Sequence, residues 1–109
     1  MKREIITYHT IVGFHCWPDA DIECAYLREM HRHIFVIRCY FGVSHNDREI
    51  EINTRQGKIN SMMEAAYGSP CEFGSLSCED IAQWLLDSMY DCDKVEVLED
   101  GYGGAALSR

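Results

Sequence analysis

Two long runs of β-branched and aromatic residues, at 4–17 and 31–43, constrain this chain more than any other feature. Such residues fit a pleated, half-buried surface, so each run reads as a strand. The first holds Ile5, Ile6, Thr7, Tyr8, Thr10, Ile11, Val12 and Phe14 and stops at the turn PDAD; the second reads HRHIFVIRCYFGV. Residues 18–30 between them read as a loop anchored by Tyr26 and Leu27. Together the two strands make a long hairpin.

The turn SHND leads into REIEI at 48–52, which reads as a third extended piece. Beyond Asn53 the period changes. Ile59, Met62, Met63, Ala66 and Tyr67 recur at helical spacing, and Gly68 is placed as a stop. A second helix is marked by Ser77 and Asp80 at capping-box spacing, by acid in its first turn, and by the stripe Ile81, Trp84, Leu85, Met89. KVEVLE then alternates as a strand, DGYGG turns, and AALS forms a last short strand. The expected architecture is one α+β domain spanning 1–109, a four-stranded antiparallel sheet with two helices on one face. Its open face and edges call for a ring of subunits closing into a barrel, so a homo-oligomer is expected.

Composition narrows the function. With 47% hydrophobic and 26% charged residues the chain is a folded globule, and its net charge of −8 argues against a broad nucleic-acid-binding face. A small anionic ligand held by a few arginines remains open. No stretch has the roughly 20 apolar residues of a membrane span, and the opening MKREIITYH lacks the apolar core of a signal peptide, so a cytoplasmic protein is expected. The six cysteines show no CxxC spacing and are expected to be reduced thiols.

In HRH, residues two apart on a strand share a face, so His31 and His33 stand side by side, and His15 near the end of the neighbouring strand is placed to add a third nitrogen. Three histidines with an open position are how a catalytic or ligand-binding zinc is held. The alternative is an ordinary HxH strand with His15 elsewhere. Glu99, at a strand end, has the two acceptor oxygens that would meet a guanine-like N–H edge, or is merely solvated. His45 and Asp47 are an acid–base pair or turn residues. Cys24 is a nucleophile only beside a cation that lowers its pKa. No glycine-rich phosphate loop or serine-nucleophile elbow is present.

In order along the chain, His15, HRH at 31–33, Glu51-Ile52, Leu76-Ser77-Cys78-Glu79-Asp80 and Glu99-Asp100 resemble the 6-pyruvoyl- and 6-carboxytetrahydropterin synthase family, which has the T-fold. The resemblance implies zinc on His15, His31 and His33, and a pterin or purine ring at a subunit interface in a trimer or hexamer. Glu99 would recognise the ring, with Glu79, Ser77 and Arg32 as further ligand-binding candidates. Cys24, seven residues before His31, and Glu29, two before it, stand nearest the family's catalytic cysteine. The family's Asp-His proton relay has no counterpart in INSMMEAAYGSPCEFGS, and Arg32 replaces the glycine of HGH, adding a cation suited to a phosphate. The patterns HRHxF and VxVxEDGxxGA are also similar to those of small proteins of bacterial viruses. The expectation is an oligomeric binder of a purine, pterin or nucleotide, acting in deazaguanine or pterin metabolism or sequestering a host nucleotide immune signal. The alternative is a zinc lyase of the synthase type.

Overall fold

The computed structural model describes residues 1–109. Strand β1 (Arg3–His15) and strand β2 (His31–Val43) form the expected long antiparallel hairpin, in a register that sets His15 opposite His31 and Arg3 opposite Val43. Helix α1 (Ile52–Tyr67), strand β3 (Cys71–Gly74), helix α2 (Cys78–Ser88), strand β4 (Cys92–Glu99) and strand β5 (Gly103–Ser108) follow. The sheet runs β3-β1-β2-β4-β5 and is α+β in class. Every neighbouring pair is antiparallel except β3 on β1.

Three expectations are corrected. The sheet is five-stranded and mixed rather than four-stranded and antiparallel, because CEFG pairs in parallel with the end of β1. Residues 48–52 are not a strand: Glu51 instead caps α1, its carboxylate accepting from the Thr54 N–H at 2.6 Å. A capped helix start satisfies an otherwise orphaned N–H, which an isolated extended piece here would not do. The loop at 18–30 contains a 3-10 turn, Ile22–Leu27. The second helix starts as expected, with reciprocal capping between Ser77 and Asp80.

Strand parity decides the core. Odd-numbered residues of β1 and β2 face the helices, and Phe35, Ile37, Cys39 and Phe41 are fully buried there with Val95 and Val97 of β4. Helix α1 packs on β1 and β3, and α2 on β4 and β5, inserting Ile59, Met63, Ile81 and Leu85. Each such large side chain contributes about 1.5–3 kcal/mol on burial. Even-numbered residues line the other face, which carries no helix; Ile6, Tyr8, Val12 and Ile34 there are 37–50% exposed. All six cysteines are free thiols. No helix is long and apolar enough to cross a membrane.

Candidate metal centre

At one end of the hairpin the register brings His15, His31 and His33 onto the helix-covered face. His15 lies directly across from His31, and His33 lies across from Gly13. Gly13 has no side chain to fill the space; a Cβ there would come within 2.7 Å of Phe73 and 3.0 Å of Phe35. The Phe35 ring floors the cluster, with its centroid 5.1 Å from that of His15 and 5.7 Å from that of His33. Phe73 supports it edge-on at 5.1 Å. On the next strand Glu99 is registered opposite Phe35, so its carboxylate reaches the same place.

Each imidazole is oriented by a different loop. His15 Nδ1–H donates to the Leu76 carbonyl at 2.9 Å, His31 Nδ1–H to the Glu29 carbonyl at 2.9 Å, and His33 Nδ1–H to Asp100 Oδ2 at 2.7 Å. A carbonyl or carboxylate oxygen can only accept, so all three Nδ1 atoms carry a proton, and in the neutral rings the three Nε2 atoms carry the lone pair. This is the outer-shell arrangement that fixes ring orientation and tautomer in metal-binding histidines. The donor atoms of His15, His31, His33 and Glu99 lie within 4.8 Å of one another.

Glu99 Oε2 stands 3.5 Å from His15 Nε2 and 2.7 Å from His33 Nε2. The His33 Nε2 contact is off the line of a hydrogen bond, and this buried atom has no hydrogen-bond partner. An unpaired buried polar atom is costly, and a cation between the four donors would satisfy it. The structure therefore shows a His/Glu cluster whose donor set fits a divalent metal.

The cluster opens into a cavity of about 460 Å³ whose walls include Cys16, Trp17, Ser77, Cys78, Glu79 and Glu99. No lysine or arginine lines it. Burial pushes the Cys78 thiol up to about 12, helped by the Glu99 charge beside it, which keeps the sulfur protonated. The Ile34 backbone N–H, with His33 beside it, holds the Asp100 carboxyl below the usual carboxylate range.

The sequence candidates divide sharply. His15, His31, Glu99, Glu79 and Ser77 line the cavity, with His33 in the cluster beneath. Cys24 sits in the 3-10 turn and lines no part of the cavity, and Glu29 contributes only its backbone carbonyl to His31. Arg32 is on the opposite, exposed face and does not line the cavity, as strand parity requires. A phosphate in this cavity would therefore find no cation within the protomer. His45 accepts from the Asp47 N–H within its turn, at 3.1 Å. Sequence reasoning gave no site role to Cys16, Cys78 or Trp17, although Cys16 adjoins His15 in the chain and Cys78 falls within the motif at the start of α2. Comparison with known proteins returns no matching family model and no matching curated relative.

Proposed function

We propose that the protein is a zinc-containing binder of a purine- or pterin-type ring, built on the T-fold expected from the order of its motifs. The observation that carries the metal is the common tautomer of His15, His31 and His33, three Nε2 lone pairs converging beside a carboxylate. Imidazole and carboxylate donors suit zinc, which when bound would supply a Lewis acid at the floor of the cavity. The ring would meet its acceptors in Glu99 and the exposed Glu79, with Trp17 and Leu27 supplying apolar wall. An acidic lining without arginine favours a ring presenting N–H donors over recognition through phosphates.

Two measurements test this. Elemental analysis of protein purified without chelator should find about one zinc per chain, as a three-histidine site demands; metal-free protein that takes up no zinc on titration removes the reading. Native mass spectrometry after incubation with pterins, purine nucleosides and nucleotides should show a retained ring compound, and retention of none would overturn the ligand assignment.

The same reading makes the chain a homo-oligomer, a trimer or hexamer, whose copies cover the exposed Ile6, Tyr8, Val12 and Ile34. Light scattering that returns a monomer removes that part. One observation favours a second reading, a synthase-type lyase: the Cys16 thiol lines the cavity next to His15. It predicts turnover of dihydroneopterin triphosphate that is lost in both His31→Ala and Cys16→Ser; absence of turnover by zinc-loaded protein rejects it.

A further inference from the structure

We propose that Glu99 is the fourth metal ligand, so that the resting centre is a closed His3Glu site rather than three histidines with an open position. The inference rests on the reading that the cluster binds a metal, and concerns what this carboxylate does there.

Three observations carry it. Glu99 is the last residue of β4, and its position opposite Phe35, beside His33, comes from the β2–β4 register rather than from a flexible loop. Its Oε2 stands 2.7 Å from His33 Nε2 and 3.5 Å from His15 Nε2, within reach of two of the three histidine nitrogens. With metal–ligand bonds of about 2.0–2.1 Å, donors in a tetrahedral set lie about 3.3 Å apart, so this carboxylate oxygen is already close to a ligand's place.

A cation accounts for this contact, which no hydrogen bond does. In the neutral His33 ring, whose Nδ1–H is committed to Asp100, Nε2 bears a lone pair, and a lone pair 2.7 Å from a carboxylate oxygen is repulsive. Nor does Glu99 have another strong partner: its remaining polar contact is the Cys78 thiol, 3.7 Å from Oε1. A shared divalent ion turns both lone pairs into bonding ones. It follows that a molecule entering the cavity must take Glu99 from the metal before it can use either, so ligand recognition and metal coordination share one carboxylate.

Cobalt(II) binding to the full chain tests this, with visible absorption reporting coordination and chelator competition reporting affinity. The wild-type chain should bind one equivalent with the intense bands of a four-coordinate ion. Glu99→Gln should lose about 10- to 100-fold in affinity and show altered bands, Glu99→Asp should fall between, and Glu72→Gln, which removes an exposed charge from β3, should match the wild type. Wild-type affinity and spectrum in a folded Glu99→Gln protein would overturn the role of Glu99 while leaving the three-histidine site. Failure of the wild type to bind cobalt or zinc would instead overturn the metal reading itself. Should Glu99→Gln not fold, Glu99→Asp carries the comparison, and an unchanged spectrum there overturns the assignment.

Discussion

Asp100 Oδ2 accepts the Nδ1–H of His33 at 2.7 Å, while Asp100 Oδ1 accepts the Ile34 backbone N–H at 2.8 Å. One carboxylate thus ties the turn after β4 to the strand that carries the HRH motif and sets which nitrogen of His33 faces the cluster. Asp100 itself has φ 55°, a conformation that Asn tolerates and Ala resists. Asp100→Asn, which keeps an acceptor, should retain zinc affinity within a few-fold, whereas Asp100→Ala should lose about 10- to 100-fold. Chelator competition measures both; equal affinities would show that the outer carboxylate does not position His33.

Zinc should stabilise the fold, because the four donors converge from both strands of the hairpin and from β4 only in the native state. Metal at about 100 times its dissociation constant contributes about 2.7 kcal/mol, enough for a rise of several degrees in melting temperature. The shift should vanish in His31→Ala. Equal zinc-induced shifts in both proteins would place the binding elsewhere.

His9 gives a pH dependence independent of the metal. It is buried, its Nδ1–H donating to Asn60 Oδ1 at 2.7 Å and its Nε2 accepting from the Thr7 hydroxyl at 2.9 Å. Burial lowers its pKa from the ordinary 6.5, with the Asn60 bond opposing. The unfolded chain then takes up a proton at a higher pH than the folded one. Its contribution is complete above about pH 6.5, is lost as pH falls towards the lowered folded value, and levels off below it. Denaturant unfolding at pH 7.5 and pH 5 should show this loss, and His9→Gln, which cannot charge, should show less of it. An identical pH slope in the two proteins would remove His9 as the cause.

Arg109 closes the C-terminal end of α2 from the far end of the chain. Its guanidinium donates to the carbonyls of Leu86, Met89 and Cys92, and its backbone N–H to Asp93. The last turn of α2 carries no basic residue of its own, so this is the cation that meets its negative end. Arg109→Ala should cost about 1–3 kcal/mol, and Arg109→Lys should recover part of it. Thermal unfolding decides; no change on Arg109→Ala would show that water replaces the guanidinium.

Gly13→Ala should link packing to the site. The added Cβ would press on Phe73 and Phe35, the ring that floors the histidines. Overpacking of this kind costs about 1–3 kcal/mol, and displacement of Phe35 should also weaken metal binding. Full stability with full zinc affinity would mean that the two rings move aside freely.

What the sequence by itself determined is whatever local chemistry repeats or punctuates. Runs of β-branched and aromatic residues suffice to mark β1 and β2, the Ser77–Asp80 spacing marks the start of α2, and strand parity puts His31 and His33 on one face with Arg32 on the other. Only the tertiary structure decided the rest. CEFG is too short to show a period, and becomes β3 because the end of β1 offers it an unpaired edge. Glu51 and Ile52 alternate with their neighbours like a strand, yet the N–H groups at the start of α1 make Glu51 a cap. Cys24 lies nearer His31 in the chain than Cys78 does, but the fold carries Cys78 into the cavity and leaves Cys24 outside it. The His/Glu cluster divides in the same way. Its three histidines are legible as side chains at strand spacing, whereas the acceptors that select their tautomer include the carbonyls of Glu29 and Leu76, which every residue possesses and no sequence pattern marks. The position of Glu99 against His33 is likewise a matter of register between β2 and β4, and register is settled by the burial of a whole strand face rather than by any one residue.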